Sequence, residues 1–172
     1  METLLIHRDL APVFLPRLAD RLRKEGVRLC GTKEVTDLVG GETIEDTDFR
    51  EYLDLVVSVK IVGSVDEAID HINRYGSHHT DCILTENQKT AEYFMDMVDS
   101  AGVYQNCSTR FADGYRYGFG AEVGISTGKL HARGPVGLDG LVTYKYKLYG
   151  QGQIVADYAS GKKEFHFRDL NL

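Results

Sequence analysis

The 172-residue sequence predicts an α/β protein, with a mostly parallel sheet, flanking helices and a C-terminal β-hairpin. Three features carry that prediction. Strand-like and helix-like segments alternate as β-α-β-α-β between residues 53 and 106, which calls for parallel strands joined by helical crossovers. The helix that follows the first of these strands has a start and a stop written into it. After residue 140 the text turns Tyr- and Val-rich around Gly150-Gln151-Gly152, as expected of a hairpin.

Taken in order, residues 4–7 read as a short strand. Residues 12–25 read as a helix with Phe14, Leu15, Leu18 and Leu22 on its apolar face and Gly26 at its stop. Pro12 suits the first turn, whereas Pro16 costs little only if it also lies near the helix start. Residues 27–30 form a brief strand, and the acidic stretch that follows, through Asp48, has no clear pattern. Residues 53–62 place Leu53, Leu55, Val57, Val59 and Ile61 in strict alternation, and Val56 and Val62 make the other face apolar too. A strand covered on both sides is expected. Ser64-Val65-Asp66-Glu67 is a capping box. Val65, Ala68, Ile69 and Ile72 then follow at helical spacing, and Gly76 ends the helix. Residues 81–85 make a strand. Ala91, Phe94, Met95 and Val98 make a second helical face, and residues 101–106 a third strand. Residues 114–140 hold eight glycines and little periodicity. Residues 141–158 are expected to form the hairpin, and residues 163–167 one further strand. The domain division expected is 1–140 for the α/β part and 141–172 for the hairpin and tail.

Composition excludes several classes. A net charge of −6 and a pI near 5.5 disfavour nucleic acid as a partner. No apolar run approaches the ~20 residues that span a bilayer, and the N-terminus lacks the pattern of a secretory signal. Three cysteines, Cys30, Cys82 and Cys107, lack CxxC spacing and point to a reducing compartment, with the cytoplasm as the expected location.

Both nucleotide-binding readings of the glycine-rich stretch fail. Gly118-Phe119-Gly120-Ala121-Glu122-Val123 lacks the third glycine of GxGxxG. In Gly124-Ile125-Ser126-Thr127-Gly128-Lys129 the glycines stand one residue too close for a P-loop. His71, His78 and His79 have no carboxylate or thiol at ligand spacing, so no metal is expected and a helix surface or loop hydrogen bonding accounts for them. Cys107, beside Arg110, is the cysteine best placed to be a nucleophile on chemistry alone. Residues 106–114 are dense in hydrogen-bonding side chains at the end of a strand, where open α/β sheets bind ligands. Arg110 offers a planar fork for a carboxylate or phosphate.

Val62, Ala68, Ile69, His71, Ile72, Tyr75, Gly76, Ser77, His79, Thr80, Asp81 and Ile83 stand at a spacing that resembles the signature of the gamma-glutamyl phosphate reductase (glutamate-5-semialdehyde dehydrogenase) family. Glu2-Thr3-Leu4-Leu5, Glu51-Tyr52-Leu53-Asp54-Leu55, Val98-Asp99-Ser100-Ala101, Ser108-Thr109-Arg110-Phe111, the run from Gly120 to Thr127, and His131-Ala132-Arg133-Gly134-Pro135 are similar to it as well. The likeness runs from residue 2 to about residue 154.

The resemblance implies the C-terminal part of an aldehyde-dehydrogenase-like catalytic domain, with NADPH as cofactor and gamma-glutamyl phosphate as substrate. The implied reaction is the second step of proline synthesis, reduction to glutamate-5-semialdehyde with release of phosphate. It needs a thiolate, a hydride and N–H donors for the oxyanion. The family nucleophile is the cysteine of a Cys-Asn-Ala-x-Glu-Thr-Leu-Leu run, which would fall three residues before Met1, and the NADPH domain would lie further upstream. No catalytic residue is therefore expected within the chain, which is expected to be inactive alone. Cys107 stands where the family usually has alanine, which lowers its standing as a nucleophile.

The expected substrate contacts are Asn106, Ser108, Thr109, Arg110, Asp113, Glu122, Ser126 and Thr127, with Arg110 on the glutamyl carboxylate. The hairpin resembles the strand pair through which such subunits join into homo-oligomers. Two alternatives stay open, a non-catalytic assembly or regulatory module that pairs with full-length subunits, and a small independent enzyme using Cys107.

Overall fold

A computed structural model describes residues 1–167, in which one compact unit, Met1–Val142, is followed by a second that begins at Thr143. The first unit begins with strand β1 (Thr3–His7) and helix α1 (Ala11–Lys24), then β2 (Arg28–Gly31), helix α2 (Lys33–Val39), β3 (Glu42–Thr43) and β4 (Val56–Val62). These strands form one parallel sheet in the order β1-β4-β2-β3. Six of the seven residues of β4 are buried, because the strand has a neighbour on each side and layers on both faces. Val57, Val59 and Ile61 meet Leu15 and Ala19 of α1 and Val35 of α2 in the main core. Pro16 lies inside α1 rather than in its first turn. Neighbouring Leu15 and Ala19, with no exposed surface, hold that helix to the sheet.

Helix α3 (Val65–Tyr75), β5 (Thr80–Ile83), helix α4 (Gln88–Met97) and β6 (Gly102–Gln105) follow. The capping box is present in a shifted form. The Glu67 N–H donates to Ser64 Oγ at 3.1 Å, while the Glu67 carboxylate accepts from the Gly63 N–H at 2.8 Å. Asn87 caps α4 by accepting from the Thr90 N–H. Ile69, Phe94 and Val98 form a second, smaller core with Ile83 and Val103 against these helices.

The strands between residues 53 and 106 do not form one sheet. β5 and β6 pair in parallel with each other and stand apart as a two-stranded sheet. The reason is local to β4, whose two edges are already taken by β1 and β2. Alternation of segments shows parallel pairing but cannot show which strand occupies which edge. The acidic stretch also hid structure, since α2 and β3 lie within it. Residues 53–55 precede β4 rather than extend it, and Leu53 is exposed at φ 53°.

The glycine-rich stretch contains an antiparallel pair that its lack of periodicity concealed, β7 (Gly124–Ser126) with β8 (Gly134–Val136). The second unit corrects the sequence reading. Residues 141–158 hold no strand; they run as irregular chain into a short helix, α5 (Val155–Ala159), and residues 163–167 are not a strand either. Tyr144, Tyr146, Leu148 and Tyr149 are exposed. A lone two-stranded ribbon with no covered face is marginal in water, so the alternating pattern has nothing here to pair against.

Candidate functional site

The parallel pair β5–β6 ends in two loops that its register brings together. Asn106 N–H continues the ladder by donating to the Ile83 carbonyl at 2.9 Å. Asn106 then takes the left-handed conformation, φ 52°, which asparagine tolerates better than most residues. Its carboxamide accepts from the Thr85 N–H at 2.9 Å and donates to the Thr85 carbonyl at 2.8 Å. Asn106 thus splints one loop to the other, and its side chain is spent on that task.

Beyond the turn, Ser108 Oγ accepts from the Arg110 N–H at 3.2 Å and starts a 3-10 turn at Thr109–Phe111. Arg110 is exposed, and among the described residues its guanidinium meets no acceptor or carboxylate. Asp113 is engaged on both sides. It accepts from the N–H groups of Tyr115 and Arg116 and pairs with the Arg116 guanidinium at 2.9 Å. Glu122 accepts from the Gly114 N–H at 2.9 Å. Gly114 is required there, because a Cβ would stand 2.3 Å from the Ala121 carbonyl oxygen.

The eight candidates are therefore not one cluster. Asn106, Ser108, Thr109, Arg110 and Asp113 share the loop at the carboxyl end of β6, and Glu122 buttresses its base. Ser126 and Thr127 lie elsewhere. Ser126 pairs with Gly134, and Gly134 packs against Ala101 before the amino end of β6. At that end Asp99 is held by Lys129 and by Arg133, whose guanidinium donates to the Asp99 carboxylate and carbonyl at 2.9 Å each. Hydrogen bonds from Lys129 and then Arg133 hold the Asp99 carboxyl below its ordinary range.

Two clefts among the described residues are lined by residues other than 106–114. One of ~420 Å³ has Met1, Glu2 and residues 51–56 around it. A second of ~320 Å³ lies between Arg28, Glu42, Asp48 and Arg50. In the first, burial and then the neighbouring Glu51 carboxylate push Glu2 upward from its ordinary value. This pair of carboxylates was missed by sequence reasoning. The two acids stand far apart along the chain and meet only through the parallel register of β1 on β4, in which Thr3 faces Ser58.

The histidines also fall differently from expectation. His71 is buried, on neither a surface nor a hydrogen bond; its ring sits between Phe49 (4.4 Å, edge-on) and Tyr75 (4.9 Å), and neither nitrogen has a partner. Burial, with Lys60 nearby, lowers it to about 4. His78 Nδ1 lies 2.9 Å from the Asp99 carbonyl and His79 Nδ1 2.7 Å from Thr80 Oγ1. Among the described residues no group of three His, Cys, Asp or Glu could hold a metal ion, and no helix is long and apolar enough to cross a membrane.

The geometry defines an open α/β domain with mostly parallel strands and a polar loop at the carboxyl ends of one strand pair. Within that class the likeness is specific. The chain is 57% identical over 173 aligned residues to the gamma-glutamyl phosphate reductase of Prochlorococcus marinus (strain MIT 9303), covering all of this chain and 40% of the relative. It is 55% identical to that of Acetivibrio thermocellus, covering 99% of this chain and 40% of the relative. The crystal structure of the Thermotoga maritima gamma-glutamyl phosphate reductase matches with a TM-score of 0.84 at 46% identity, over 89% of this chain and 37% of that one. No protein-family model matches the chain. In sequence and fold the chain belongs to the gamma-glutamyl phosphate reductase family and corresponds to its C-terminal part. It spans about 40% of the length of the curated relatives it matches.

Proposed function

We propose that this chain forms the substrate-side part of an NADP-dependent reductase that converts gamma-glutamyl phosphate to glutamate-5-semialdehyde in proline biosynthesis. Support for the activity comes from the relatives, which carry that reductase name at 55% and 57% identity across essentially the whole chain. Support for the binding role rests on one observation, the exposed Arg110 fork on a loop where Asn106, Ser108 and Asp113 already use their side chains internally. In this reading Arg110 takes the glutamyl carboxylate in a bidentate pair. Asn106, Ser108, Thr109 and Asp113 hold the loop in shape, Glu122 fixes its base, and Ser126 and Thr127 act from the β7–β8 pair.

The dinucleotide and the nucleophile are assigned to polypeptide outside these 172 residues. This reading is supported by the described residues, in which no glycine-rich turn of the kind that cradles a dinucleotide phosphate opens a helix. The chain by itself is accordingly expected to be inactive. Assembly into a homo-oligomer is proposed through residues 141–158, where Val142, Tyr144, Tyr146 and Leu148 alternate and are all exposed. Pairing with a partner's strands would cover that face. The three free cysteines favour a reducing compartment, and the cytoplasm is the location proposed.

The test is kinetic. In a complete enzyme containing this segment, Arg110→Ala should raise KM for the acyl phosphate ~10- to 100-fold, the loss of one charge-assisted pair, with kcat much less affected. Unchanged KM removes Arg110 from the site.

A further inference from the structure

The geometry points to Cys82 and Cys107 as a peroxide-responsive dithiol that closes into an intrachain disulfide. This does not rest on the reductase reading. Cys82 sits on β5 opposite Tyr104 of β6. Asn106, at φ 52°, then turns the chain so that Cys107 returns over β5. The Cys82 thiol donates to the Cys107 carbonyl oxygen at 3.1 Å. A carbonyl oxygen lies about 2.4 Å from its own Cα, so the Cys82 sulfur is within about 5.5 Å of the Cys107 Cα. Closing the bridge then requires the Cys107 side chain to turn toward this sulfur, with the two Cα atoms coming to about 4.4–6.8 Å apart.

The two thiols divide the work by exposure. Cys107 is exposed, whereas Cys82 is half-buried behind it. Cys107 sulfur attacks the peroxide oxygen, the O–O bond breaks, and a sulfenic acid and one water result. Cys82 sulfur then attacks the Cys107 sulfur, the S–O bond breaks, and the hydroxyl leaves as a second water once it has taken up the proton from the Cys82 thiol. Two thiols lose two electrons, and the peroxide receives them. The remaining cysteine, Cys30, is buried on β2 and has its thiol pushed up by burial and then by Glu42, which keeps it out of the exchange.

The bridge would cross-link β5 to the first residues of the loop, adding a covalent tie beside the Asn106–Thr85 splint. The experiment treats the purified 172-residue chain with hydrogen peroxide and follows intact mass, free thiols and tryptic peptides without reduction. Expected is a loss of about 2 Da, loss of two of the three titratable thiols, a cross-linked peptide pair spanning residues 75–89 and 90–110, and reversal by a thiol reductant. Cys30→Ser should leave the cross-link intact. Cys82→Ser should abolish it and carry Cys107 on to the sulfinic acid. Direct over-oxidation of Cys107 in the unaltered chain at the rate seen in Cys82→Ser would overturn the proposal. So would a cross-link found only between two chains.

Discussion

Replacing His71 with Phe should abolish a large share of the chain's acid sensitivity. The imidazole is 6% exposed, lies against Phe49 and Tyr75, and has no hydrogen-bond partner for either nitrogen. Charging it means burying a cation beside Lys60, only partly offset by Asp46 and Glu67, which pair with that lysine. The folded chain therefore holds the ring neutral down to about 4, while the unfolded chain protonates it around 6.5. The unfolded state binds more protons between those values, so stability from this ring is complete above 6.5 and drains away as pH falls toward 4. At about 1.4 kcal/mol per tenfold change in proton affinity, the loss is about 2 kcal/mol by pH 5 and about 3 kcal/mol below pH 4.

Phe keeps a ring between the same two neighbours and has nothing to protonate. Urea unfolding of both chains at pH 7.5 and pH 5 separates the contribution from that of the carboxylates, which are common to both. The gap between the two unfolding free energies should shift by about 2 kcal/mol in favour of the variant on acidification. Any packing penalty of the larger ring enters equally at both pH values and cancels. Curves that move in parallel from pH 7.5 to pH 5 would refute the reasoning, since the ring would then titrate alike in both states.

Other substitutions probe the remaining joints. Ser64→Ala removes the acceptor for the Glu67 N–H and should cost about 1 kcal/mol in urea unfolding. Gly114→Ala drives a methyl group against the Ala121 carbonyl and should lower stability by about 1–3 kcal/mol; an unchanged melting temperature would mean that the loop base relaxes freely. Asp99→Asn should speed amide exchange at Ser126 and Gly134, because Lys129 and Arg133 lose their shared anion. The Asp99 carboxyl itself should titrate, in a carbon-detected NMR experiment, below the ordinary aspartate value of 3.8.

Much of the first unit was legible before any coordinates. The helix of residues 65–75 was readable because its cap, apolar spacing and glycine stop are all local, and each depends on neighbours at most four residues away. The strand over residues 56–62 was readable because both of its faces are apolar. Sheet partition was not, since it depends on β1 and β2 occupying both edges of β4. The short helix at Lys33–Val39 escaped because one buried residue, Val35, is too little for a period to show. At the candidate site, residue types named a polar strand-end loop correctly, but hydrogen-bonding potential is not availability. Asn106, Ser108 and Asp113 use theirs on the loop itself, and only geometry could separate them from Arg110. The Tyr- and Val-rich segment after residue 140 shows the converse error, a strand pattern over residues that form no strand.

Two side-chain amides, on Asn106 and Gln105, donate to the Thr85 carbonyl and tie two surface loops together, and the Asn106 bond is the shorter at 2.8 Å against 3.1 Å. On Asn106 the oxygen could be mimicked by aspartate, but the NH2 could not, and hydrolysis of the carboxamide would aim a second anionic oxygen at the Thr85 carbonyl. Slow deamidation of this asparagine would therefore act as a chemical clock on the protein, loosening one of the two side-chain ties on the Thr85 carbonyl. An Asn106→Asp chain would reproduce the aged state at once, and unchanged exchange at the residue-106 amide, which donates to the Ile83 carbonyl, would show that the loops do not depend on that nitrogen.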